Sequence, residues 1–254
     1  LSKRKNGDPT RNIAPAIRKP RVLLWDIETD GLQADRIVCI GYKFLGEREV
    51  HMLKATDYPR DGLWCDKGLI DAFVKVFEEC DYHVTWYGSR FDEPVLKTRM
   101  IAHEMLPLMP KPHVDLWKAV RYRFRLYSNR LQAWQDHLGL REDKTPVKPS
   151  VWIKARYGDA KALEYIYEHC HFDVLVLEKA FKRVRPWIDT EPARGLITGD
   201  HHGCPTCGHK KVQRRGYKVA NTRAFQQFRC MNPKCGRWFR ARVPAKISEI
   251  RPAA

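Results

Sequence analysis

Long hydrophobic runs are missing from this 254-residue chain. Its apolar stretches, such as Val22 to Trp25, fall far short of the roughly 18 residues that cross a bilayer, and none resembles a secretory h-region. A helical membrane protein is thereby excluded, and a cytosolic location is expected. Repeats and low-complexity tracts are also lacking, which excludes a solenoid or array. Acidic residues are scarce at both ends. Residues 1–20 hold six Lys or Arg against one acid, and residues 201–254 hold thirteen against Glu249 alone. With a total charge of +17, residues 21–200 balance near zero. A neutral body with basic ends fits a polyanionic partner, because Lys and Arg that neutralise phosphates release counterions. A solvated basic tail would look the same at residues 1–20. Cysteines are scattered through the body (Cys39, Cys65, Cys80, Cys170), but Cys204, Cys207, Cys230 and Cys235 come in two close pairs. In a cytosolic chain that clustering argues for a metal rather than disulfides.

The length fits one medium domain plus a small one. Residues 1–20, rich in Lys, Arg, Asn, Gly and Pro, are expected to form a flexible basic arm. Val22 to Glu28 opens with a continuous apolar run, the mark of a strand buried on both faces. Ile37 to Phe44 and Glu49 to Leu53 follow as strands, then a helix at Lys67 to Cys80 and a β-rich segment at Tyr82 to Tyr87. A helix opening near Pro94 continues through Val95 to Leu106. Leu116 to Phe124 and Arg130 to Leu138 are further helices, the second capped by Ser128 or Asn129 and stopped at Gly139. The longest helix spans about Ala160 to Val184, with Leu163, Ile166, Cys170, Val174, Leu177, Phe181 and Val184 on one stripe, and Arg185-Pro186-Trp187 ends it. The domain so outlined covers 21–189, with a linker at 190–203, a small cysteine-bearing domain at 204–243 and a tail at 244–254.

Asp26 and Glu28 stand two apart on a strand, so their carboxylates leave the same face while Ile27 points away. Adjacent anions repel unless a cation lies between them, and hard oxygen ligands suit Mg²⁺ or Mn²⁺. Turn chemistry around Asp30-Gly31 is the other reading of this segment. Asp92 sits at a strand–helix junction, where it serves as a cap or as a ligand. Asp173 falls within about 60° of Ile166, His169, Cys170 and Leu177 on the long helix, so it lies on the apolar stripe and needs a partner. For Asp115 a helix N-cap is the reading adopted, for Trp86 and Trp117 core packing, and for Lys144 and Lys148 a solvated loop.

Asp26-x-Glu28, then Phe91-Asp92-x-Pro94-x-Leu96-x-x-Arg99, then a late helical Asp173 together resemble the DEDD (DnaQ-like) superfamily of 3′→5′ exonucleases. Among these the chain is most similar to predicted exonucleases related to the family-B polymerase proofreading domain, including phage proteins that continue into a zinc ribbon. The resemblance covers most of residues 21–240, including Asp115-Leu116-Trp117 and Arg185-Pro186-Trp187. It implies an α/β, RNase H-like fold: a mixed sheet flanked by helices. It also implies that Asp26, Glu28, Asp92 and Asp173 hold two Mg or Mn ions, which activate water and stabilise the leaving 3′ oxygen. The expected substrate is DNA, single-stranded or at 3′ ends, in a bacterial or phage-infected cell, with a polymerase or other replication protein as a possible partner. RNA 3′ ends, branched DNA cut internally, and a vestigial site that only binds are the alternatives. Two departures stand out. Tyr87 occupies a position usually held by Asn. His169 occupies a tyrosine position four residues before Asp173, where an imidazole would serve as general base or as a packed helix residue.

Cys204-Pro-Thr-Cys207-Gly208 and Cys230-Met-Asn-Pro-Lys-Cys235-Gly236 are two knuckles with a glycine after each second thiolate. Four soft thiolates suit one tetrahedral, structural Zn²⁺, with His201, His202 and His209 as lesser candidates. Strands are expected at Lys211 to Val219, Arg223 to Arg229 and Arg237 to Val243, a segment too small and too basic to fold without metal. Arg214, Arg215, Arg223, Arg229, Arg237 and Arg240, with Trp238 among the interleaved aromatics, suit phosphates and exposed bases. Docking to a protein is the alternative role. Zinc ribbons of similar sequence occur in DNA-acting proteins, which favours DNA.

Overall fold

In a computed structural model of the chain, residues 18–31, 36–58, 65–140 and 147–249 are described. The expected basic arm lies outside them except for its last three residues, as does Lys144. One compact unit is Arg21–Pro192, and a second contains residue 193 onward.

In the larger unit β1 (Val22–Thr29), β2 (Ile37–Phe44) and β3 (His51–Lys54) form an antiparallel meander. Strands β4 (Tyr82–Thr85) and β5 (His113–Asp115) add in parallel on the other edge of β1, giving the order β3-β2-β1-β4-β5. The apolar opening of β1 is explained by cover on both faces, since Val22, Leu23, Leu24 and Trp25 are each at most 2% exposed. The helices are α1 (Lys67–Glu78), α2 (Asp92–Ala102), α3 (Leu116–Arg121), α4 (Leu131–His137), α5 (Pro149–Arg156) and α6 (Ala160–Val184).

On one face of the sheet, Leu69, Ile70, Phe73 and Phe77 of α1 and Val95, Leu96 and Met100 of α2 bury Leu23, Trp25 and Ile27. Helix α6 covers the other face, capped where the Asp159 carboxylate accepts from Ala162 N–H at 2.8 Å. Its expected stripe is its buried face: Leu163, Ile166, Cys170, Val174, Leu177, Phe181 and Val184 are all buried. A sheet of mixed direction between helical layers is the architecture expected of an RNase H-like domain.

Several local features differ from expectation. Helix α3 ends at Arg121, not Phe124, and α4 has Arg130 at its N-cap with no side-chain cap bond, not Ser128 or Asn129. Helix α2 stops at Ala102, not Leu106, because Glu104 takes a φ of 55° and Met105 N–H turns back to Met100 C=O. Helix α5, started by Pro149 in its first turn, and the short β5 were not foreseen. The expected linker at 190–203 contains a five-residue helix, α7 (Arg194–Thr198), closed by Gly199 at φ 71°. Arg194 N–H donates to Pro205 C=O at 2.8 Å, so this segment folds with the cysteines.

The smaller unit holds β6 (Val212–Ala220), β7 (Arg223–Cys230), β8 (Trp238–Arg240) and β9 (Lys246–Ile247), all antiparallel. Strand β7 is central, paired with the other three. Asn221, at φ 52°, turns β6 into β7. No helix among the described residues is long and apolar enough to cross a membrane.

Candidate active site and cysteine cluster

Strand register and one glycine assemble the acidic site. Asp26 pairs with Gly41 and Glu28 with Cys39 across β1 and β2, so all four side-chain positions face α6. A Cβ on Gly41 would stand 3.0 Å from Cys170 Sγ and 3.1 Å from Val174 Cγ2. The missing side chain therefore lets α6 settle onto the carboxylate-bearing strands. His169 Nε2 comes to 3.6 Å from Asp173 Oδ2 and 3.9 Å from Glu28 Oε1. Candidate ligand atoms of Glu28, His169 and Asp173 all lie within 4.8 Å of one another. Asp26 lies alongside, its Oδ2 3.8 Å from the Cys170 thiol, which burial keeps protonated.

Asp92 approaches from the opposite edge of β1. The β1–β4 pairing ends at Leu24, and beyond it Ile27 N–H donates to Asp92 Oδ1 at 3.0 Å. Burial, opposed by that N–H, pushes the Asp92 carboxyl up to about 7. A nearby cation would bring such a group back to its charged form. Capping is not its role, since α2 has no side-chain cap. Asp30 takes the turn function, accepting from Arg36 N–H at 3.3 Å and pairing with the Arg36 guanidinium at 3.1 Å. Of the five residues singled out, three thus meet directly and two flank them. His171 turns away into a recess lined by Met52, Lys54, Tyr167 and Phe172.

Beside Glu28 opens a cleft of about 450 Å³ walled by Phe91, Val147, Pro149, Trp152 and Ile153. Three of those five wall residues, Pro149, Trp152 and Ile153, belong to the unforeseen α5. Asp115 does cap α3, accepting from Lys118 N–H at 3.2 Å. It also accepts from Tyr87 N–H and Ser89 N–H, each at 3.2 Å, and from the Ser89 hydroxyl. This buried carboxylate fastens the turn leading into Asp92, a role with no local sequence signal.

A second group with metal-ligand chemistry is His83, Glu93 and His113. The Trp25 indole N–H, a donor only, reaches His83 Nδ1 at 3.1 Å. Burial pushes the His83 pKa down to about 3, so the ring is neutral and carries its proton on Nε2, facing Glu93. No lone pair remains there for a metal. The group is a hydrogen-bond network, in which His113 first of all pulls the Glu93 carboxyl down to about 2.

In the smaller unit Cys204 Sγ and Cys235 Sγ stand 3.9 Å apart, and Cys207 Sγ and Cys230 Sγ 3.6 Å apart. Zinc–sulfur bonds of about 2.3 Å in a tetrahedron put sulfurs roughly 3.8 Å apart. The donor set therefore fits zinc, and no histidine belongs to the cluster. Gly208 at φ 76° and Gly236 at φ 59° supply the left-handed turns after the second thiol of each pair. The expected basic residues divide by strand parity. Arg223, Arg229, Trp238 and Arg240 share one face of the sheet, which Lys218, missed in the sequence, joins opposite Phe225. Arg214 lies on the other face, opposite Phe228. Arg215 sits where the register shifts, and half-buried Arg237 precedes β8.

Comparison with curated proteins finds no match. Among solved structures the chain is similar to the family B DNA polymerase from the hyperthermophilic archaeon Pyrobaculum calidifontis, at 19% identity and a TM-score of 0.53. The likeness covers 67% of this chain but only 25% of the polymerase, and it is a likeness of fold. Residues 23–185, from the second residue of β1 to the residue after α6, match the RNase_H superfamily. The chain belongs to the RNase_H superfamily.

Proposed function

We propose that the chain is a metal-dependent 3′→5′ exonuclease acting on DNA. The convergence of Glu28, Asp173 and His169, with Asp26 and Asp92 flanking them, carries this reading. Family membership supports cleavage of nucleic acid in general, and the match to a quarter of a DNA polymerase supports a replication setting.

Asp26, Glu28, Asp92 and Asp173 would hold two Mg²⁺ or Mn²⁺ ions. When bound, such ions lower the pKa of water and stabilise charge on the departing 3′ oxygen. The chain's own residues do the rest. His169 Nε2, beside both Asp173 and Glu28, is placed to take the proton that water loses on attacking phosphorus. The P–O3′ bond then breaks, leaving a 5′-mononucleotide and a shortened strand with a free 3′ hydroxyl. Phe91, Trp152 and Ile153 offer the terminal base and sugar an apolar wall beside Glu28. Asp115 and Ser89 keep the turn before Asp92 rigid.

The smaller unit is read as a zinc ribbon: Cys204, Cys207, Cys230 and Cys235 hold one structural Zn²⁺, and its basic, aromatic face binds nucleic acid. Arg240 already lies 3.9 Å from the centre of the Phe225 ring, and Arg229 5.9 Å from that of Trp238. Deleting residues 201–254 should weaken DNA binding and flatten its salt dependence. The enzymatic reading is tested with end-labelled single-stranded DNA, duplex DNA and RNA in Mg²⁺ or Mn²⁺. Mononucleotides released from the 3′ end, slowed by a 3′ block, are expected. Cuts in circular DNA would replace the exonuclease with an endonuclease, and preference for RNA would replace the substrate.

A further inference from the structure

Helix α3 projects an aromatic and cationic group that neither the carboxylate site nor the cysteine unit uses. The Arg121 guanidinium lies over the Trp117 ring at 4.1 Å and near the Tyr122 ring at 4.5 Å. Tyr87 meets Trp117 edge-on, with ring centroids 4.8 Å apart. Large rings normally sit inside, yet Tyr87 is 41% exposed and Tyr122 is 83% exposed. Among the described residues no carboxylate pairs with Arg121, so its N–H donors are available to an outside acceptor. Stacking leaves the edge of a guanidinium open, and that edge matches a phosphate.

The group is also fixed in place. Tyr87 adopts a left-handed φ of 70°, a costly conformation for a bulky residue. Asp115 holds it there, accepting from Tyr87 N–H while capping the helix that carries Trp117 and Arg121. Tyr87 C=O in turn accepts from Arg90 and Phe91 N–H at 2.9 and 3.2 Å, leading directly to Asp92. One carboxylate therefore ties the rings and the active-site turn into a single rigid piece.

We propose that Tyr87, Trp117, Arg121 and Tyr122 form a platform for an unpaired nucleic-acid strand, with bases against the rings and a phosphate on the guanidinium. The platform rests on the nuclease reading above and narrows its substrate to strands whose bases are free to stack. Duplex bases stack on each other and cannot use it.

The test is binding, measured by fluorescence anisotropy on the full chain without a chelator. The probes are a labelled oligothymidylate of about a dozen nucleotides and a blunt duplex of equal length. Tyr122→Ala and Arg121→Leu should each weaken oligothymidylate binding by about 5- to 100-fold, the range of one stacking contact, and change duplex binding less than about twofold. Arg121→Lys, which keeps the charge but not the planar stack, should recover only part of the loss. Thermal melts matching wild type establish that the variants fold. Unchanged oligothymidylate binding in both variants overturns the platform, and so does an equal loss on single strand and duplex. Weakened single-strand binding in a chain that cleaves nothing would keep the platform and remove the nuclease.

Discussion

Strand β1 of the larger unit has four consecutive residues at no more than 2% exposure, whereas β6 of the smaller unit leaves eight of nine residues exposed. The larger unit closes two helical layers over a sheet and buries whole aromatic rings such as Trp25 and Phe73. The smaller one buries Phe225, two threonines and two cysteines, and little else. One unit is held by apolar area removed from water, and the other, on the proposed zinc reading, by a metal at its four thiols. On the proposed function the contrast also divides labour: a rigid body for positioning carboxylates, and an open, basic sheet for contact.

If the four thiols hold zinc as proposed, stripping it should break the contrast most severely. Structural zinc in small domains is worth roughly 10–16 kcal/mol, so a strong chelator should collapse the dispersed amide resonances of 204–240 and leave those of the larger unit in place. Cys204→Ser should act the same way. Resonances from 204–240 that survive chelation would mean the sheet stands without metal.

The converse experiment is Trp25→Ala. It deletes a ring packed 4.9 Å from Phe73 and removes the donor to His83, and should cost the larger unit about 3–5 kcal/mol. A calorimetric scan should show only that unit's transition move. A shift in both transitions would mean the units are not independent.

Asp66 offers a smaller, pH-dependent lever. Burial alone would raise its pKa, but hydrogen bonds from Arg99, His103 and Ile37 N–H outweigh it and hold the carboxyl below its ordinary range. A pKa lowered by folding contributes stability that is present above the unfolded value, near 4, and is lost as pH falls through the folded one. Asp66→Asn should therefore cost about 1.5–3 kcal/mol at pH 7, and the gap from wild type should shrink in acid. A gap independent of pH would mean the carboxylate charge is not what holds β2 to α2.

Within the active site, the two histidines of α6 provide an internal control. His169→Ala should lower turnover about tenfold or more, and His171→Ala should do little. Equal, small losses would leave His169 as scaffolding.

What was legible in the sequence was whatever had a period. The two-residue spacing of Asp26 and Glu28, and the stripe that placed Asp173 on the inner face of α6, follow from backbone geometry alone. The cysteine spacing was equally direct. Contacts between distant segments were not legible. Gly41 reads as an ordinary strand residue until α6 is seen 3.0 Å away at Cys170. Asp115 was recognised as a cap, but its hold on Tyr87 and Ser89 depends on β5 pairing with β4. Helix α5 escaped because it is only eight residues long, has no capping side chain and leaves Ile153 60% exposed, so it carries little helical pattern. Asp92 looked like a cap because its local setting is a helix start, and only the ending of the β1–β4 pairing reveals its bond to Ile27.

The central claim, that carboxylates gathered on β1, α2 and α6 hydrolyse nucleic acid, is tested most directly by Asp173→Ala. The measurement is single-turnover release of the 3′-terminal nucleotide from a labelled DNA strand in saturating Mg²⁺ or Mn²⁺. The account predicts release by wild type, and a fall of about a thousandfold or more in a variant that melts and binds zinc as wild type does. Release by that variant at a rate near wild type would contradict it.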